Sequence, residues 1–361
     1  MKVFNNLTRQ LEDFKPINPP YVYFYSCGPT VYDVSHIGHA RSTINWDVLY
    51  RYLIYKGYQV KWIRNITNID DKIVNRAKER GISPDKLSRI YTYEFWSDMV
   101  ALNVSFPDYE PRATDYLLEM FEFIQGLIDK GYAYESNGDV YFRVSKHTRY
   151  GQLKGQSVAE LRDGEARVNA NEKKEDKLDF ALWKAFPDSP ETSFKSPWSI
   201  GRPGWHLECS TMIKSILDVN GAGDTLDIHA GGDDLLHPHH ENECAQSECF
   251  TGKPLAKYGM HNGMVMAKDS KMSKSEGNSC TIKDVLAEFK ANTVRYFCLS
   301  THYKKQIHFS REALEAAETG FDKLCSTLNA QYSTLNKQDL DQSLIKKFND
   351  AMDDDRNTAK A

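Results

Sequence analysis

Residues 21–64 restrict the fold more than any other stretch. "YVYFYS" at 21–26 is a short β-rich apolar run that "CGPT" breaks, a helical pattern runs from about Gly38 to Lys56, and after Gly57 "YQVKWIRNIT" is a strand candidate. Strand, helix and strand in that order make a βαβ unit, so a parallel sheet begins here. At 361 residues the chain exceeds what one core holds, and two or three domains are expected.

Further along, "NIDDKIVNRAKERG" opens on acids and closes on Gly81, as a helix does. Helices also fit 84–103 and 113–130, the second ended by Gly131, while "GDVYFRVS" at 138–145 restores a period of two. From 146 to about 180 the chain is charged and poor in large apolar groups, as in an exposed excursion. Sheet-type signals then return. "GWHLECSTMIKSIL" has helical spacing, "TLDIHAGGDD" is a strand running into a glycine turn, and "YGMHNGMVMA" is another strand. In "TIKDVLAEF", Thr281 and Asp284 have capping-box spacing, and everything later has a helical pattern. The fold class is therefore α/β: a Rossmann-like parallel-sheet domain split by an insertion and followed by a helical C-terminal region.

Bulk properties exclude some classes. No apolar stretch has signal-peptide or membrane-helix length, so a cytoplasmic protein without membrane contact is expected. Seven cysteines without a CxxC argue against a disulfide framework and a zinc ribbon. A net charge of -4 gives no global attraction to nucleic acid, so RNA contact needs a local basic surface such as "YKGYQVKWIR" or "HYKKQ".

Three constellations carry chemistry. In "SHIGH", His36 and His39 stand where a first strand hands over to a helix, a place where open α/β sheets bind phosphate; two structural histidines around Gly38 are the plain alternative. In "KMSKSEGN", Lys271 and Lys274 could fold over a polyphosphate, or be solvated lysines. "LLHPHHENECAQ" at 235–246 is dense in metal-binding side chains, with Pro238 suiting a first helical turn and Gly252 a helix end. Residues four apart share a helix face, so either His239 with Glu243 or His240 with Cys244 could pair, and thiolate chemistry somewhat favours the second.

"FYSCGPTVYDVSHIGHARS", "NITNIDDKI", "PRAT", "GRPGWHLECS", "HAGGDDLLHPHHENE", "KMSKSEGN" and "AMDDDRNT" occur in an order that resembles the class I aminoacyl-tRNA synthetases, specifically the cysteinyl family. An extra acid in "GGDDL" and His237 depart from its pattern. The resemblance implies ATP-dependent activation of L-cysteine to cysteinyl-adenylate and transfer to tRNA(Cys), with Mg²⁺ accompanying ATP. It implies Zn²⁺ held by Cys27, Cys209, His239 and Glu243, choosing His239 with Glu243 over the other pair. It implies His36, His39, Lys271 and Lys274 as catalytic residues. Gly231, Gly232 and Asp234 join His36, His39 and Lys274 at ATP, and Cys27, Thr67 and Trp205 meet the amino acid. A closed structural zinc, an amino-sugar cysteine ligase and a non-catalytic tRNA-binding relative are the alternatives. The expected divisions are 1–115 and 196–275 for the halves of the catalytic domain, 116–195 for the insertion, 276–315 for a stem-contact region, and 316–361 for the start of a helical tRNA-binding domain. A monomer is expected.

Overall fold

The structure is a computed structural model that describes residues 1–164, 174–186, 189, 192–267, 270–271, 280–332 and 342–361. A hairpin of β1 (Lys2–Asn5) and β2 (Gln10–Asp13) precedes the βαβ unit, which is β3 (Tyr21–Ser26), α1 (Ile37–Tyr55) and β4 (Gln59–Arg64). The next two helices start and stop where their caps dictate. α2 (Asp71–Arg80) begins with the Asp70 side chain accepting from Lys72 N and ends at Gly81, whose φ of 64° is left-handed. α3 (Pro84–Ala101) has a Ser83 cap and Pro84 in its first turn. α4 (Leu117–Asp129) leads into the insertion, which contains β5 (Ala133–Ser136), β6 (Asp139–Phe142), α5 (Val158–Gly164), β7 (Phe180–Ala185), β8 (Phe194–Lys195) and β9 (Ile200–Pro203). After it come α6 (Trp205–Val219), β10 (Leu226–Gly232), α7 (Glu241–Thr251), β11 (Ala256–Asn262), β12 (Val265–Ala267) and β13 (Ser270–Lys271). The rest is α8 (Ile282–Glu288), α9 (Ala291–Leu299), β14 (Ile307–Phe309), α10 (Arg311–Tyr332) and α11 (Gln342–Asp353).

The main sheet has the order β11-β10-β3-β4 and is parallel throughout. Every residue of β10 is buried, as in a strand covered on both faces. The chain steps from β3 to β4 on one side and later returns to lay β10 and β11 on the other. This reversal opens a crevice at the carboxyl ends of β3 and β10, where open α/β sheets take ligands.

Several expectations need correction. The insertion's antiparallel sheet, β5-β6-β7-β9-β8, runs to Pro203, past the boundary expected at 195. The excursion from 146 is not wholly exposed: Tyr150, Leu153, Leu161 and Leu178 are buried, because a few large apolar groups suffice to anchor a charged segment. Residues 165–173 of it lie outside the described residues. The run "YGMHNGMVMA" is two strands in different sheets, since Gly263 N donates to Tyr303 O at 2.8 Å and Gly263 O accepts from Arg41 Nε at 3.0 Å, which turns the chain away. Beyond 281 the chain is not all helical: β14 pairs in parallel with β12, and three residues are too few to show a period.

Candidate functional site

The crevice begins with a close approach of two backbones. Cys27 extends β3, its N–H donating to Ala230 O at 3.0 Å. A Cβ on Gly28 would stand 1.7 Å from Asn65 O, so only glycine fits there. Asn65 Oδ1 accepts from Gly28 N at 2.8 Å and from Tyr25 Oη at 2.9 Å, while Asn65 Nδ2 donates to Thr67 Oγ1 at 3.1 Å. One buried amide thus fixes the backbone that carries Cys27.

Three further donors converge on that thiol. Trp205 and Cys209, four apart on α6, share a face, and the Trp205 ring stacks on His239 at 3.9 Å. His239 Nε2 is 2.9 Å from Glu243 Oε1 and 3.6 Å from Cys209 Sγ, and Cys27 Sγ is 3.7 Å from Glu243 Oε1. One atom from each of Cys27, Cys209, His239 and Glu243 lies within 4.8 Å of the others, a group that could hold a metal ion. A second group, Cys27, His229, His240 and Glu243, meets the same limit and shares two members with the first. His240 therefore does turn toward the site, its Nε2 3.1 Å from Cys27 Sγ, but Cys244 packs in an apolar cluster with Ile213, Leu217 and Leu255. The regular helix starts at Glu241 rather than Pro238, and His237 (φ −142°, ψ 134°) is extended.

Burial and charge set the protonation of this cluster. Burial, with Cys209 alongside, pushes the Cys27 thiol up, and the hydrogen bond with Cys27 brings Cys209 down to about 7. Burial opposes the His239 cation, but the Glu243 carboxylate outweighs it and lifts His239 to about 10. Burial also opposes ionisation of Glu243, which His239 and His229 nonetheless hold well below the usual carboxylate range. Burial depresses His206, His240 and His261, the last to about 3. Two thiols, an imidazole and a carboxylate match the donors zinc takes, and with Cys27 half-exposed the group faces the crevice.

The paired histidines cap α1. His36 Nδ1 accepts from Gly38 N at 3.0 Å, His39 Nδ1 accepts from His36 N at 3.2 Å, and the rings lie 4.0 Å apart. With Nδ1 accepting, each neutral ring carries its proton on Nε2, as a donor. Cys280, which follows the lysine-rich segment, and Ile282 are tied to the same turn: Ile37 N donates to Cys280 O at 3.2 Å and Ile282 N to Ser35 O at 3.0 Å. Lys271 ends β13, paired with Met266, and Lys274 lies outside the described residues. Gly231 and Gly232 close β10; a Cβ on Gly231 would be 2.6 Å from His240 Cε1, and one on Gly232 would be 2.5 Å from Asp234 Oδ1. Asp234 is exposed just beyond, at the strand's carboxyl end. Thr67 is buried beside Glu208, whose carboxyl burial raises well above its usual range.

Sequence reasoning missed His229, His261 and Glu208. His229 Nε2 is 2.8 Å from Glu243 Oε2, and His261 Nε2 is 2.7 Å from His240 Nδ1. For the two histidines the available signal was a histidine within each of two strand runs, "LDIHAGG" and "AKYGMHN".

Comparisons with known proteins show the family and the fold. Residues 13–319 match the family described as "tRNA synthetases class I (C) catalytic domain". The chain is 48% identical to a "Cysteine--tRNA ligase" of Thermodesulfovibrio yellowstonii, covering 100% of this chain and 76% of the relative. A protein of the same name from Clostridioides difficile is 46% identical, with 100% and 79% covered. Among solved structures, Mycobacterium tuberculosis methionyl-tRNA synthetase bound by methionyl-adenylate superposes with a TM-score of 0.62 at 18% identity, covering 84% of this chain and 68% of that one, a likeness of fold.

Proposed function

The chain belongs to the class I tRNA synthetases, in the cysteine--tRNA ligase family, and we propose that it joins L-cysteine to tRNA(Cys) through cysteinyl-adenylate. The cysteine carboxylate attacks the α-phosphorus of ATP, the bond to the bridging oxygen breaks, and pyrophosphate leaves. A ribose hydroxyl at the tRNA terminus then takes the cysteinyl group, and AMP departs. Cys27, Cys209, His239 and Glu243 would hold Zn²⁺, which favours a substrate thiolate over serine's hydroxyl. The four-donor group at the crevice supports this reading most, because one of its members, Cys27, stands at the strand end that leads to His36 and His39.

The chain's own residues supply the rest. His36 and His39 donate from Nε2 to phosphate oxygens that gain charge, and Lys271 and Lys274 bring cations to the departing pyrophosphate. Mg²⁺ enters with ATP. Trp205, stacked over His239, walls the amino-acid pocket with Thr67, while Cys27 stands at its opening. Gly231 and Gly232 keep the end of β10 low beside the nucleotide, and Asp234 accepts from ribose hydroxyls.

Cysteine-dependent exchange of labelled pyrophosphate into ATP tests the proposal. Exchange with serine is expected to be at least ~100-fold slower, because a site built around one polar contact rejects the analogue lacking it. Chelation is expected to abolish exchange, and Zn²⁺ to restore it. Equal rates with serine would remove the thiol-recognition claim. The name carried by the full-length relatives favours tRNA over an amino sugar as acceptor. Transfer of labelled cysteine to a glucosamine derivative in place of tRNA would reverse that choice.

A further inference from the structure

The last residue of α11 and the segment after it are bonded to several different elements. Asp353 accepts from Tyr52 Oη at 2.7 Å and pairs with Lys56 at 3.0 Å, both at the far end of α1. Asp355 Oδ1 accepts from Phe4 N at 2.8 Å and Tyr303 Oη at 2.9 Å, and Asp355 O is 3.1 Å from His302 Nε2. Arg356 Nη1 donates to Asn45 O at 2.9 Å, with its guanidinium 4.0 Å from the Tyr303 ring centre and 5.2 Å from that of Trp46. Thr358 Oγ1 donates to Leu299 O at 2.8 Å. Asp355 and Arg356 have φ of 53° and 52°, left-handed values that non-glycine residues keep only where surrounding contacts over-determine them.

Those contacts continue inward. Asn45 Nδ2 donates to Arg41 O at 2.8 Å, one turn back along α1 toward His39. Arg41 is fully buried and donates through Nε to Gly263 O at 3.0 Å and through Nη2 to Tyr303 O at 3.4 Å and to Lys305 O. Gly263 is where the chain turns into β12, whose antiparallel partner β13 ends at Lys271. One hydrogen-bonded path therefore joins the C-terminal segment, the helix capped by His36 and His39, and the strand pair that ends at Lys271.

We propose that Asp355 and Arg356 are positioning residues for cysteine activation, holding α1 in register with the β12–β13 pair so that the histidines and lysines meet the same phosphates. This rests on the activity proposed above. Neither residue belongs to the metal group, so their loss acts on the phosphate chemistry and not on recognition of the thiol. Charge alone does not do this at Arg356, where a planar group both stacks on Tyr303 and donates to Asn45.

The test is pyrophosphate exchange by the full chain carrying Arg356→Lys, Asp355→Asn or, as a control for stability, Asp353→Asn, assayed below the onset of unfolding. Arg356→Lys and Asp355→Asn are expected to lower kcat about tenfold while KM for cysteine stays within about twofold, since a displacement of about 1 Å far from the chemistry has such effects. Zinc stoichiometry is expected to stay at the wild-type level. Asp353→Asn is expected to lower the melting temperature without changing kcat. Wild-type kcat in both Arg356→Lys and Asp355→Asn overturns the inference, as does an equal loss in Asp353→Asn or a loss that tracks zinc content. Absence of exchange in the unsubstituted chain would instead overturn the proposed activity.

Discussion

Replacing Gly28 by alanine places one methyl group where the ends of β3 and β4 touch. Its Cβ would start 1.7 Å from Asn65 O, and real Cβ contacts stay beyond 3.0 Å, so one backbone must retreat by about 1.3 Å. The neighbour cannot rotate aside, because it is a peptide carbonyl whose own side chain already holds Gly28 N and Tyr25 Oη. Overpacking of this kind costs about 1–3 kcal/mol of stability. The larger effect is on the site. Cys27 is the adjacent residue, and a displacement of that size moves its Sγ away from Glu243 and His240, which it approaches at 3.7 and 3.1 Å. Exchange is expected to fall about 100-fold, with zinc content falling in parallel. Metal analysis and exchange measured on the same folded preparation check both effects. Wild-type zinc and kcat in Gly28→Ala would refute the argument that this contact sets the position of the thiol.

Two other perturbations separate competing readings. Cys209→Ser and Cys244→Ser each change one buried cysteine near α7. The first is expected to lower zinc affinity by more than about tenfold and the second to leave it unchanged, as equilibrium dialysis against a chelator will measure; the reverse result would restore the His240 and Cys244 pairing. At Asp98, burial raises the carboxyl from 3.8 to about 6, and among the described residues its Oδ2 has no partner. The folded state then holds the proton that the unfolded chain releases, so stability falls as pH rises from about 4 to 6. The shift, which already includes the attraction to Lys283, corresponds to at most about 3 kcal/mol. Asp98→Asn is expected to recover that amount at pH 8 and almost nothing at pH 4 in denaturant titrations. A substitution that is equally stable at both pH values would show that the carboxyl is not held protonated.

What was legible in the sequence was local. The 21–64 unit announces itself by apolar runs of strand length around a helical stretch, and α8 is capped by Thr281 because its hydroxyl and the Asp284 carboxylate satisfy one another's backbone donors. What escaped depended on partners distant in the chain. Gly263 ends β11 because Arg41 and Tyr303 hold both of its backbone groups, and neither is near it in sequence. His261 reaches His240 because parallel pairing sets it against Gly231, one strand away from Cys27. No period within either strand carries that information.

The choice between His239 with Glu243 and His240 with Cys244 shows the same limit within a single helix. Both pairs are four residues apart, so helical geometry favours neither. Tertiary packing separates them: α7 lies so that Cys244 enters the apolar cluster behind α6, which leaves Glu243 between His239 on one side and His229 on the other. His240 is not thereby excluded, since the irregular turn before Glu241 carries it to Cys27 and His261. The resemblance points to His239 with Glu243, and the helix itself contains nothing that makes that choice. The carboxylate at 243 faces two imidazoles at once, whereas a thiolate from 244 would reach that place only if the whole helix turned by one residue, which would carry the charged Glu243 to the buried position of Asn242 beside Tyr150.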